Sequence, residues 1–282
     1  MLSIFETNPQ RKFIDLIHRE TSKFANWEPP AEIKVGSYGT IDKRTGSLTV
    51  EGNIYSKEFK QHIPSDLDLS SYHPEDCPED EEYVVWSSKA KKVDLGVSAD
   101  LNVPGIASAA IKGVWEVKKG GRGAILLMYK PRLKRIPPGE LLGKLAQIPE
   151  LKSRHLVTGV YYCPAYALSL SSTRGENISV ALTGAVPASI PGLTAGGGVS
   201  MNWISNKQTG LLRSGAGKDH SFTPLYDLRQ IIPVQSLHRS DSSPERKGDD
   251  LWAPAGLPWD PLDEDGEEVP IYEGDSDEDE DC

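Results

Sequence analysis

The amino-acid sequence predicts an α+β fold, a twisted antiparallel sheet with peripheral helices, followed by a disordered acidic C-terminal tail. Three observations carry this. Apolar side chains at Val93, Leu95, Val97, Ala99, Leu101 and Val103 alternate with Asp94, Gly96, Ser98, Asp100 and Asn102, and a period of two marks a strand with one buried and one wetted face. Similar short alternating runs recur through the chain, whereas helical spacing appears in few places. Third, charge divides sharply: fifteen of the 41 acidic residues and none of the 31 Lys and Arg follow Gly248, so residues 1–248 carry a net +5 and the remainder −15. Blocks of like charge repel and have little to bury, which predicts disorder.

In chain order, Asn8 to Phe24 reads as the first helix. Pro9 follows an Asn cap, Phe13, Leu16, Ile17 and Phe24 form an apolar stripe, and Arg11, Lys12, His18, Arg19 and Lys23 take much of the rest. A basic amphipathic helix suits either a solvated surface or an anionic membrane. Asn26-Trp27-Glu28-Pro29-Pro30 ends it. Glu32 to Tyr55 reads as a hairpin, and the acidic, proline-containing stretch Pro64 to Glu82 as a solvated loop.

Tyr83 to Trp86 resumes strand, and Lys89, Lys91 and Lys92 lead into a hairpin from Val93 to Trp115 that turns at Pro104-Gly105 and returns through Ile111. The basic turn Lys118 to Gly123 lacks the Lys-Ser/Thr ending of a phosphate-binding P-loop. Ala124 to Tyr129 is an apolar run suited to a buried strand, and Gly139 to Leu151 has helical spacing. Leu156 to Ser172, including Val157, Tyr161, Leu168 and Leu170, pairs in this reading with a return arm carrying Ile178, Val180 and Leu182, giving a second amphipathic hairpin. Strands follow at Ala195 to Ile204, Leu211 to Ser214 and Phe222 to Ile232. Residues 233–248 form a polar linker, and residues 249–282 form the acidic tail, with Trp252, Trp259, Leu262 and Tyr272 set among carboxylates.

The sequence offers no catalytic constellation. Its six histidines have no metal-ligand spacing, and no nucleophile elbow or dinucleotide fingerprint is present, so neither an enzyme, a cofactor nor a metal is expected. The odd count of three cysteines suits free thiols in a reducing compartment, and neither a secretory leader nor a run of eighteen apolar residues occurs. Two strands of about 9–11 alternating residues, each in a hairpin flanked by Lys and Arg, meet the length of a transmembrane β-strand. Antiparallel strands of an ordinary sandwich alternate in the same way. Basic side chains are drawn to anionic lipid by about 1 kcal/mol each, and an oppositely charged tail would cancel that attraction.

The order of these parts resembles the pore-forming domain of the gasdermin family, particularly the fungal gasdermin-like cell-death proteins. The resemblance runs from Asn8 to Ile232. It rests on the basic first helix, Trp27, Pro30 and Val35-Gly36-Ser37-Tyr38-Gly39, the Ser98 to Trp115 hairpin, the helix leading into Leu156 to Leu182, and the closing Pro224-Leu225-Tyr226 strand. It implies a pore-forming domain over residues 1–232, a linker with a candidate protease site at Leu237, and an autoinhibitory tail. Arg11, Lys12, Arg19, Lys23, Arg132, Lys134 and Arg135 would contact acidic phospholipid. The two hairpins would insert into a membrane as part of a homo-oligomeric barrel after a protease removes the tail. The chain would be cytoplasmic while inhibited and at the cell membrane once active. The resemblance departs from the family's animal pattern, in which a long helical C-terminal domain is the repressor; here the candidate inhibitor is the segment after about Ser236. Two other readings compete: a soluble sandwich whose acidic tail recruits a basic partner through Trp252, Trp259 and Tyr272, and, third, a nucleic-acid binder, disfavoured because aromatics do not interleave with the basic residues.

Overall fold

The computed structural model describes residues 8–93, 109–184, 201–206, 209–232 and 251–269. The first helix, α1 (Pro9–Thr21), begins where Asn8 accepts a hydrogen bond from the Arg11 amide at 3.1 Å and ends at Ser22 in the left-handed conformation. The chain then enters a short strand, β1 (Phe24–Ala25), and the hairpin β2 (Ser37–Ile41) and β3 (Leu48–Asn53).

The strands that follow are β4 (Glu75–Glu79), β5 (Glu82–Trp86), β6 (Ala90–Val93), β7 (Ala109–Val117), β8 (Ala124–Tyr129) and β9 (Arg132–Arg135). A short helix α2 (Leu141–Leu145) and one 3-10 turn (Pro149–Leu151) stand where the spacing predicts a single helix over 139–151. The interruption follows from Pro149, which has no amide proton for the ladder, with Ile148 before it in extended backbone. Then come β10 (His155–Cys163), β11 (Ala165–Leu170), β12 (Glu176–Gly184), β13 (Met201–Asn206), β14 (Leu211–Ala216), β15 (Phe222–Ile231) and β16 (Trp252–Pro254).

Every pairing between these strands is antiparallel, and they form three sheets rather than one. An eight-stranded sheet runs β1-β15-β10-β2-β3, with β16 on β15, β9 on β10 and β4 on β9; the others run β14-β11-β8-β5 and β13-β12-β7-β6. The β8 sheet is the middle layer. Its Ala124, Leu126 and Met128 belong to the core shared with α1 and the large sheet, whereas Ile125 and Leu127 face a second core with Ile111, Trp115, Ile178, Val180 and Leu182. A strand covered on both faces needs no polar face, which is why residues 124–129 read as continuous apolar sequence.

This layering corrects the second hairpin. β11 lies between β8 and β14, while β12 pairs with β7 and β13, so residues 156–172 and 178–184 are not two arms of one hairpin. Ser169 and Ser171, small polar residues that read in sequence as a wetted face, are fully buried, and Ala165 and Ala167 of the same strand pack on the second core. Val157 is buried and Tyr161 half-buried in β10, and Leu168 and Leu170 lie in the main core. The hairpin partner of β12 is β13, in register from Ser179–Asn206 to Gly184–Met201. The β6–β7 pairing, Ala90–Val117 to Val93–Val114, agrees with the first hairpin. Leu95, Val97, Leu101 and Val103 lie outside the described residues, as do the turn at Pro104-Gly105 and all of residues 185–200.

Acidic residues 75–79 also differ from the expected loop. They form β4, an edge strand on β9 that sets Glu75 opposite Arg135 and Asp76 opposite Lys134, with Pro78 tolerated on the edge.

Candidate functional site: a basic helix under the acidic segment

Burial along α1 is continuous from Arg11 to Ile17. An amphipathic helix resting on a body would expose one face, so a second surface must cover it. That surface is residues 251–269. The sequence leads to an expectation of disorder here, yet the segment pairs as β16 with β15 and contributes Trp252, Ala255, Trp259 and Leu262 to the main core. Four spaced apolar anchors overcome what charge repulsion alone would prevent. At about 25 cal/mol per Å2 of apolar surface, each of two tryptophans offers several kcal/mol of burial to set against chain ordering.

Polar contacts fix the register. The Trp252 indole donates to the Leu142 carbonyl at 2.7 Å, and the Trp259 indole donates to the Asp15 carboxylate at 3.3 Å. The Ala255 amide donates to the Leu228 carbonyl at 2.8 Å, and the Ile232 amide to the Leu251 carbonyl at 2.9 Å. The last contact joins the residues on either side of 233–250, a stretch outside the described residues that holds the linker and Leu237.

The acids meet the N-terminal turn of α1. Arg11, only 6% exposed, donates to the carbonyls of Gly266 and Lys43 and forms ion pairs with Glu267 at 3.6 Å and Glu268 at 3.3 Å. Its guanidinium also lies 5.9 Å from the Trp259 ring centre. Lys12, 5% exposed, donates to the carbonyls of Leu262 and Asp263. Burial pushes its pKa down, against the pull of Glu264, Asp15 and Asp263. The Asn8 amide donates to the Asp265 carbonyl, which uses one of the helix's free amides. Carboxylates here also meet the positive end of the helix dipole, a favourable placement worth about 0.3–1 kcal/mol. Gly266 makes this approach possible, with φ of +89° and a missing Cβ that would stand 2.5 Å from the Asn8 carbonyl oxygen. Arg122 is held by the same turn, its amide on Glu264 and its guanidinium 3.4 Å from Asp265.

The remaining lipid-contact candidates are dispersed. Arg19 is half exposed and pairs with buried Asp15 at 3.0 Å, and Lys23 pairs with Asp227. Arg132 reaches Glu79 at 3.5 Å and Lys134 reaches Asp76 at 4.0 Å, so the edge strand β4, paired with β9, sets its carboxylates beside these cations. Arg135 has no ion pair with a described residue and lines, with Lys23 and Arg229, a cavity of about 440 Å3. Of the hairpin residues, Ile111, Trp115, Ile178, Val180 and Leu182 are all buried in the second core. The ordered path of residues 251–269 is what the sequence reading did not anticipate, and its signal is the set of large apolar residues within an acidic run.

The covering segment also predicts a pH response. His18 Nε2 lies 3.1 Å from the Ala255 carbonyl, but burial, opposed by that hydrogen bond and Asp15 and assisted by Arg19, lowers its pKa. His155 is lowered by burial as well. An unfolded histidine titrates at about 6.5, so the unfolded chain takes up protons first and stability falls as pH drops through that value. The urea midpoint is expected to be lower at about pH 5.5 than at about 7.5, with His18→Gln flattening the difference. An unchanged slope in that variant would remove His18 from the account.

Among the described residues no helix is long and apolar enough to cross a membrane, and no group of three His, Cys, Asp or Glu could hold a metal ion. No family model and no curated protein matches this chain.

Proposed function

We propose that the chain is a membrane-permeabilising protein of the gasdermin type, held inactive by residues 251–269. The observation that carries this reading is the covering of Arg11 and Lys12, two of the residues suited to acidic phospholipid, by acidic and apolar groups of the same chain. The two adjacent hairpins β6–β7 and β12–β13, side by side through β7 and β12, supply the strands for insertion.

Proteolysis fits as the trigger. While the linker is intact, the segment meets its groove at an effective concentration of about millimolar order. Cutting the linker converts this into a bimolecular contact, and at cellular dilution a segment of moderate affinity departs. Its departure restores charge at α1, frees the apolar surface once covered by Trp252 and Trp259, and permits binding to acidic lipid, oligomerisation and permeabilisation. In this reading the protein is cytoplasmic until cut and at the cell membrane afterwards.

The alternative in which Trp252 and Trp259 recruit a partner is weakened by their burial, at 3% and 9% exposure. The test places a site-specific protease sequence after Leu237 in the full chain. Cleavage is expected to release dye from liposomes containing acidic lipid, while the uncut chain and neutral liposomes stay silent. Intact liposomes after complete cleavage and removal of the segment would overturn the proposal.

A further inference from the structure

At the end of the β2–β3 hairpin away from its turn, the Ile54 amide donates to the Gly36 carbonyl at 2.9 Å. Gly36 has φ of +82°, and a Cβ there would stand 2.6 Å from the Tyr55 ring, so glycine is what lets that ring lie against the chain. Asn53 ties the same corner together. Its side-chain amide donates to the Val35 carbonyl and its side-chain oxygen accepts from the Tyr55 amide, each at 2.9 Å. Two 3-10 turns follow, Glu58–His62 and Leu69–Ser71, the second capped by Asp68, which accepts from the Ser70 amide. Residues of the hairpin end and of these turns line a cavity of about 620 Å3, inside the range of about 300–1,000 Å3 that small-molecule sites occupy.

The lining divides into an apolar floor and a cationic rim. Val35, Ile54 and Leu69 reach it from the main core, and Tyr55 and Ile63 pack against that core. Lys34 and Lys60 supply the charge, and no carboxylate stands among the described lining residues. Lys34 lies 3.4 Å from Glu32, but both side chains are exposed, and such a pair holds a lysine weakly. Lys60 forms no ion pair with a described residue. The Asp68 carboxylate, on which it acts at a distance, is already engaged by the Ser70 amide and hydroxyl at 2.9 and 2.6 Å. The Tyr55 hydroxyl is buried and has no hydrogen-bond partner among the described residues. Burial pushes its pKa up to about 12, so at neutral pH it keeps its proton and is a donor in want of an acceptor. A bare phosphate would leave the apolar floor wet, and a hydrocarbon would leave the ammonium groups and the hydroxyl unanswered. An acid group on an apolar body answers all three.

We infer that the cavity between the β2–β3 hairpin end and the two 3-10 turns binds a small soluble organic acid with an apolar body, its acid group at Lys60 and the Tyr55 hydroxyl. Binding there needs neither the covering segment nor cleavage, since every lining residue lies within 34–74, and it is measured on the full, uncut chain. The probes for calorimetry are 2-naphthoate and decanoate, each below the concentration at which it forms micelles, with 2-naphthamide and decanamide as uncharged counterparts. One site per chain is expected, and the amides should bind about tenfold more weakly, equivalent to about 1.4 kcal/mol. Tyr55→Phe, which keeps the ring, should weaken acid binding by about tenfold and Lys60→Gln by about threefold. The control pair Lys43→Gln with Lys218→Gln, outside the lining, should leave it within about twofold. Stability separates a binding role from a structural one. Tyr55→Phe should hold or raise the urea midpoint, because it removes a buried polar atom that has no partner. No saturable binding of either acid, equal affinity for acids and amides, or an affinity unmoved by both Tyr55→Phe and Lys60→Gln would overturn the inference.

Discussion

Trp252→Ala is expected to detach residues 251–269 from the body. The side chain is 3% exposed, sits in the main core, and hydrogen bonds to the Leu142 carbonyl. Removing a buried tryptophan costs about 3–5 kcal/mol, and an orphaned buried carbonyl adds about 1–3 kcal/mol. The segment, however, can open without unfolding the sheets, so the observed global loss is capped by the free energy of its docking. Hydrogen exchange separates the two events. The Ile232 and Ala255 amides, which donate to Leu251 and Leu228, should lose protection by about a hundredfold or more, equivalent to roughly 2.7 kcal/mol. The β8 and β11 amides should keep theirs. Equal loss across all of them would mean that the segment is an integral part of the core, not a separable cover.

The second large effect is an asymmetry at Arg11. Glu267→Gln with Glu268→Gln removes two half-exposed carboxylates and leaves a guanidinium that is 7% exposed at its side chain without an ion-pair partner there. Breaking a charge pair from that side is the costly direction. Because Gly266 and Lys43 carbonyls still accept from Arg11, the loss should be on the order of 1–3 kcal/mol rather than the full buried-pair penalty. Arg11→Met loosens the segment by a similar amount by depriving those carbonyls of their donor. The two variants therefore match in stability and differ in charge. In the proposed function, the glutamate pair raises uncut binding to acidic liposomes, since it frees a helix that keeps its cations. Arg11→Met should raise it less, and added salt should narrow the gap, since surface charge is screened over about 8–10 Å. Equal liposome binding by the two variants would show that Arg11 is a clamp for the segment and not a lipid contact.

Local chemistry was legible in the sequence wherever near neighbours decide structure. Asn8-Pro9 marked the start of α1, the Ser37 to Asn53 hairpin followed from its turn, and residues 124–129 read as a buried strand. The charge division at Gly248 is a property of composition and pointed to an interaction between the two parts of the chain. Three features needed the tertiary structure. Which strands pair is set by long-range packing, and the period-two alternation of residues 156–184 is identical whether β11 lies beside β12 or beside β8. Small residues such as Ala165, Ala167 and Ser169 take their face from the layer above them, not from their own polarity. The C-terminal segment orders because Trp252, Trp259 and Leu262 find a groove made by α1, α2 and β15, residues far away in sequence, and that burial outweighs the self-repulsion that the acidic composition alone would enforce.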